Sequence, residues 1–238
     1  MIRTTLVYLF GFGILLHSIL ASAEIVEGKV FKKDSQQKEL LFNFKNTVTV
    51  TGDIHKADAQ FVDPSGVVAV TETSERQGTQ LKHYEIDHKQ TGRKGSIVVD
   101  GKKVLFNFEE NGKKKSEEKE DLKDNFVVGH TLVAYVSGKW KEIMDGKTID
   151  IRYGVWDRQE TVGFSLFKVG QEKLDGKDVV LLKFKPTSFI IAALVDPVIF
   201  KFSTDGKELM GMVGRVAPKR KDGNKWKDLD AEVIYKTL

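Results

Sequence analysis

Histidine, carboxylate and hydroxyl side chains must supply any chemistry here, because the 238-residue chain contains no cysteine. That composition excludes disulfides, a thiol nucleophile, zinc–thiolate and iron–sulfur sites, and a lipid anchor on cysteine. The densest candidate is His83-Tyr84-Glu85-Ile86-Asp87-His88. Alternate residues of a strand share a face, so His83, Glu85 and Asp87 point one way and Tyr84, Ile86 and His88 the other. Three such ligands suit a divalent metal, and they equally suit the solvated face of a strand that turns Tyr84 and Ile86 inward. Leu81 breaks the solvated pattern, but no second ligand cluster completes the metal reading, so neither metal nor cofactor is expected. The sequence has no Gly-x-Ser-x-Gly, no His-Glu-x-x-His, no Walker loop and no Gly-x-Gly-x-x-Gly after a strand. Carboxylate pairs abound, but a glycosidase needs two of them across a cleft. No catalytic residue is assigned and the chain reads as a non-enzyme; a hydrolase using carboxylates or a metal is the weakest alternative.

Charge narrows the partners. Lysine and arginine total 38 against 34 acidic residues, a net charge of +4, and only seven of the basic residues are arginine. Lysine scattered through strands keeps sheet edges soluble, whereas nucleic-acid readers favour arginine in clustered basic faces. Nucleic acid is therefore not an expected partner. The densest basic patch, Lys219-Arg220-Lys221 with Lys225 and Lys227, fits a hairpin loop beside Asp222-Gly223 or peripheral contact with anionic lipid head groups.

Aromatic residues carry the ligand expectation. Leu41-Phe42-Asn43-Phe44 and Leu105-Phe106-Asn107-Phe108 repeat the same four letters, and strand alternation puts both phenylalanines of each on one face. Two strands thus give Phe42, Phe44, Phe106 and Phe108 to one inner surface, as a packed core or as the wall of a cavity for an apolar ligand. Trp140, Phe164, Leu166, Phe189, Ile190 and Leu194 are the residues that would complete such a lining.

These side chains need a frame. Turn pairs recur at short intervals: Gly52-Asp53, Asp63-Pro64-Ser65-Gly66, Gln77-Gly78, Thr91-Gly92, Asp100-Gly101, Asn111-Gly112, Asp175-Gly176, Asp205-Gly206 and Asp222-Gly223. Between them run alternating segments, so residues 25–110 read as one β-meander. Residues 109–124 are dense in mixed charge without apolar periodicity and read as a solvated loop. Val128, Leu132, Val136, Trp140 and Ile143 then make a helical stripe ended by Asp145-Gly146, with Gly129 and Gly138 weakening it. Strands resume at Lys147–Val155, Thr161–Val169, Asp178–Lys185, Val198–Ser203, Glu208–Val216 and Leu229–Lys236. Ser188 to Leu194 reads as a short helical turn capped by Ser188. The expected fold is mainly β: a large antiparallel curved sheet, a half-barrel or barrel, with one main helix and a short helical turn packed on it. Two sheets in two domains split near residue 115 are the alternative.

The first 23 residues read as a secretory signal: Arg3, an apolar run from Leu6 to Leu20, and Ala21-Ser22-Ala23 as a small-x-small cleavage site. Cleavage after Ala23 would leave residues 24–238 as a single β-rich exported domain. An exported chain without disulfides points to a bacterial periplasm.

The C-terminal half, residues 126–236, resembles a family of uncharacterised bacterial exported proteins. The resemblance rests on Trp140 to Lys147, on Ser188-Phe189-Ile190-Ile191 with Leu194-Val195-Asp196-Pro197, on Asp205 to Leu209, and on Val213-Gly214-Arg215. That family implies export but no activity. Asp196, Arg158 and Arg215 match its pattern; the arginines are expected to pair with carboxylates at strand ends, or to hold a ligand head group. In architecture alone the chain resembles LolA/LolB-like lipoprotein carriers, half-barrels with helices over an apolar cavity. The resulting expectation is a periplasmic binding protein or carrier for an apolar ligand such as a lipid or acyl chain. The alternative is a structural or interaction module of the cell envelope that docks an envelope protein.

Overall fold

A computed structural model describes residues 22–193 and 195–238. The proposed signal segment lies outside the described residues apart from Ser22 and Ala23, which stand at the start of the first strand.

The turn residues build the sheet. At Asn111-Gly112 (φ 53° and 74°) and Asp175-Gly176 (φ 48° and 80°) both central residues take positive φ, the geometry that matches a tight hairpin to the twist of its strands. Eight strands follow one another as an antiparallel meander: β1 (Ser22–Lys32), β2 (Leu40–Thr51), β3 (Ile54–Val62), β4 (Val68–Gln77), β5 (Gln80–His88), β6 (Arg93–Asp100), β7 (Lys103–Glu110) and β8 (Lys113–Asp121). After the two-residue β9 (Phe126–Val127) come helices α1 (Gly129–Gly138) and α2 (Trp140–Met144). A second meander follows: β10 (Ile149–Val155), β11 (Glu160–Leu174), β12 (Lys177–Pro186), β13 (Val198–Ser203), β14 (Leu209–Asp222) and β15 (Lys225–Thr237). Helix α3 (Phe189–Ala192) lies between β12 and β13.

Antiparallel pairing of β1 with β15 fuses the two meanders into one sheet of 15 strands, ordered 8-7-6-5-4-3-2-1-15-14-13-12-11-10-9. All fifteen described strands belong to this sheet. The sheet curves but is not closed into a barrel: β8 and β9 are its two edges, and no ladder joins them.

The charged segment expected to be a loop is instead an edge strand. Residues 113–121 pair with β7 over its whole length, and eight of the nine are charged. An edge offers unpaired backbone groups to other chains, and dense charge blocks that pairing, so such a strand lacks the apolar period by which strands are read.

The single helical stripe divides into α1 and α2 at Lys139, next to Gly138, and ends as expected before Gly146 (φ 87°). α3 is the expected turn, with Ser188 Oγ accepting from Ile191 N at 3.5 Å. Leu81 turns inward because the β4–β5 register shifts between Glu75 and Arg76, which restores its apolar side to the core.

The core fills the concave side, with Val30, Val70, Ile97, Phe106, Leu166, Leu182, Phe202 and Val233 almost fully buried from both meanders. α1 contributes Leu132 and Val136 to it, and α2 contributes Ile143.

Candidate functional site

Alternation along β4 puts Val70, Glu72 and Ser74 on the concave face, beneath α1. A carboxylate there needs partners, since a buried unpaired charge is costly. His130, in the first turn of α1, supplies them: its Nε2 lies 3.0 Å from Glu72 Oε2 and its Nδ1 2.7 Å from Ser74 Oγ. The Nδ1–Ser74 contact is a hydrogen bond, whereas Nε2 faces the carboxylate at ion-pair distance without hydrogen-bond geometry. The Tyr84 hydroxyl lies close enough to feel the same carboxylate, and its ring meets the imidazole edge-on at 5.7 Å.

Two further tyrosines converge on Glu72. Burial, and then the Glu72 charge, push the hydroxyls of Tyr84, Tyr153 and Tyr235 above their ordinary range. The Tyr153 hydroxyl lies beside Gly129 at the start of α1. In the cross-strand row Asn46–Ala59–Glu72, the small Ala59 separates two polar side chains, and Asn46 Oδ1 is buried without a hydrogen-bond partner among the described residues. The polar centre therefore draws on β2, β4, β5, β10, β15 and α1.

The order serine, histidine, carboxylate is that of a nucleophile relay. Ser74 is only 7% exposed, however, and its hydroxyl is engaged under the helix. These contacts tie the first turn of α1 to β4.

Aromatic rings flank the polar centre in two tracts. Phe61, Phe44 and Tyr235 contact in turn at centroid distances of 4.8 and 5.6 Å. Gly28 lies between Phe44 and Tyr235 on neighbouring strands, where a Cβ would come within 3.0 Å of the tyrosine ring. On the other side Tyr153, Phe164, Phe184, Phe200, Phe202 and Trp140 form a continuous chain, with Phe164 stacked on Phe184 at 4.1 Å.

Of the expected lining, Phe42 and Phe106 are buried in the core, and Phe44, Phe108, Trp140 and Phe164 pack ring against ring. Phe189 and Ile190 do neither. They are 87% and 74% exposed, because α3 is a single turn in the connection beyond the sheet and covers nothing. Leu194 lies outside the described residues. Arg158 pairs with Glu160 in the β10–β11 hairpin. Arg215, on the outer face of β14, pairs with Asp230 at 2.8 Å and with Asp228. Both arginines thus form the carboxylate pairs expected of them, on the outside of the sheet. His83 and Glu85 lie on the outer face 3.3 Å apart, and Asp87 pairs with Lys89 and Lys94. Two clefts indent the outside, one including Thr47, Lys56, Thr73 and His83, the other Lys33, Lys183, Asp196 and Asp230. Neither includes any of the interior rings.

Sequence reasoning missed Glu72, Ser74 and His130. One signal for Glu72 was present: it falls in phase with Val70 on an alternating strand, at a position where an apolar residue is expected.

The second structural feature of note is the seam between the sheet edges. β8 ends at Asp121 and β9 starts at Phe126, so residues 122–125 tie the two edges together at one end. Elsewhere side chains span the gap. Glu120 accepts from Thr161 N at 3.0 Å and from the Thr161 hydroxyl at 2.6 Å, and Ser116 hydrogen-bonds Gln159. Trp156 lies so close over Gly95 that a Cβ there would stand 2.5 Å from its ring.

No protein-family model and no curated protein matches the sequence. Among solved structures, a β-barrel-like protein from Brucella abortus, a domain of unknown function (DUF1849), is similar at a TM-score of 0.53. The alignment has 10% identity and covers 92% of this chain and 96% of that one. The two share a fold. A domain from Vibrio parahaemolyticus named for outer membrane lipoprotein sorting aligns at a TM-score of 0.24 and 10% identity, covering 92% and 84% of the two chains.

Proposed function

We propose that the protein is a non-catalytic binding protein of the bacterial envelope that takes an amphipathic ligand with an apolar body, such as an acyl chain, into the trough of its sheet. The observation that carries this reading is the seam. The aromatic interior is packed, yet its two walls meet along β8 and β11 through side chains, so they can part without breaking any β-ladder. An apolar tail would displace ring–ring contacts among Phe44, Phe164 and Phe184, and a polar end would find Glu72, the tyrosine hydroxyls and the unpartnered Asn46 Oδ1. An interior of apolar walls with a few convergent polar groups is the usual composition of a small-molecule site.

The test uses the protein's own tryptophans. In a Trp226→Phe background the remaining two, Trp140 and Trp156, both pack on the core. A brominated fatty acid should quench them saturably at about one equivalent. With no native cysteine, Ser116→Cys and Gln159→Cys joined by a short bismaleimide would lock the seam, and loading should slow at least about tenfold. Absence of saturable quenching, together with native mass spectra of host-purified protein free of any apolar adduct, would reject the proposal in favour of a solid-cored interaction module.

A further inference from the structure

The strand registers sort the loops into two groups at opposite ends of the sheet. One end carries the β1–β2 loop (33–39), the β3–β4 loop (63–67), the α3 connection (187–197) and the projecting β14–β15 hairpin. Contact between Lys33 and Asp196 at 3.8 Å confirms that two of these loops meet. Four of the seven exposed large apolar side chains among the described residues lie at this end: Val67 (62%), Phe189 (87%), Ile190 (74%) and Trp226 (39%).

Charge near Phe189, Ile190 and Trp226 is mostly basic, while the 33–39 and 63–67 loops add Asp34, Glu39 and Asp63. Residues 217–228 hold five basic against two acidic side chains, and Lys183 and Lys185 lie on the strand leading into α3, opposed in that connection by Asp196 alone. Lys221 lies over the Trp226 ring at 5.6 Å.

We infer that this rim docks on an anionic lipid bilayer, with Phe189 and Ile190 seated among the head groups and the lysines of β12 and the β14–β15 hairpin against lipid phosphates. The shape argues for a bilayer over a protein. α3 is a one-turn protrusion exposing two adjacent apolar side chains, far less than the roughly 800 Å² per partner of a standard protein interface or a stable dimer. A convex apolar tip beside positive charge is the arrangement by which interfacial segments bind, with apolar contact and attraction to anionic lipid each adding affinity. The inference does not depend on a ligand within the sheet.

Flotation with vesicles of phosphatidylglycerol and phosphatidylcholine tests it on the full mature chain. Binding is expected to vesicles containing 30% phosphatidylglycerol, weakening with salt and absent from pure phosphatidylcholine. Phe189→Ser with Ile190→Ser should reduce the partition constant at least about tenfold. Lys221→Gln or Lys225→Gln should each reduce it by about threefold to fivefold. Because all four residues are exposed, an unchanged melting temperature will show that the variants fold. Fatty-acid quenching should be unaltered in the double variant, which keeps this result separate from that of the interior site. The inference is overturned by no vesicle binding, by binding that survives Phe189→Ser/Ile190→Ser, or by a dimer or protein complex that the double variant dissolves in place of vesicle binding.

Discussion

At the scale of single residues, the decisive group is Glu72. Its carboxylate is buried with His130 on one side and a tyrosine hydroxyl on another, and removing a partner strands a charge. His130→Ala is therefore expected to cost about 3–5 kcal/mol in urea unfolding, and pairing it with Glu72→Leu should recover part of that loss. The tyrosines set an alkaline limit. Their hydroxyls are held above the ordinary value of 10 by burial and by Glu72, so the unfolded chain gives up phenolic protons first as pH rises. Stability from these groups is complete below about pH 10 and is lost above it. Titration at 295 nm should show Tyr84, Tyr153 and Tyr235 ionising only together with the loss of far-ultraviolet ellipticity; tyrosinate forming in the folded protein near pH 10 would contradict this. The residue level was the least legible in sequence. Phe42, Phe44, Phe106 and Phe108 followed from strand alternation alone, but Glu72 and His130 are 58 positions apart and meet only because α1 folds back under β4. No local pattern carries such a pairing.

At the scale of elements, the hairpins were largely legible because each turn declares itself through residues that tolerate positive φ, as at Asn111-Gly112. β8 was not, because its composition serves edge protection in place of burial. The seam depends on small local devices, and the Trp156–Gly95 contact is the tightest of them. Gly95→Val would drive the indole off β6. A cost of about 2–4 kcal/mol is expected, with a red-shifted tryptophan emission and faster loading of brominated fatty acid. An unshifted emission would show that Trp156 finds the same burial elsewhere.

At the scale of the whole molecule, strand order explains how one sheet arises from two meanders. The curved sheet was inferable from strand number, since a long twisted sheet curls, but its joint was not: β1 and β15 come from opposite ends of the chain. Truncation after Gly223 removes β15 and uncovers Val30 and Val216, so the shortened chain is expected to give no cooperative unfolding transition in calorimetry. Two separate transitions would instead mean that each meander folds by itself. The same joint fixes a polarity. Leu238 N donates to Ile25 O at 2.9 Å, so the C-terminus lies beside the start of β1, at the pole opposite α3 and on the order of 35 Å from it along β1. A tether or reporter attached at the C-terminus hangs from the far side like a mooring line, leaving the Phe189 tip free to face a second surface. Immobilised by its C-terminus on a sensor chip, the protein should present that tip outward and capture vesicles as well as it does in solution.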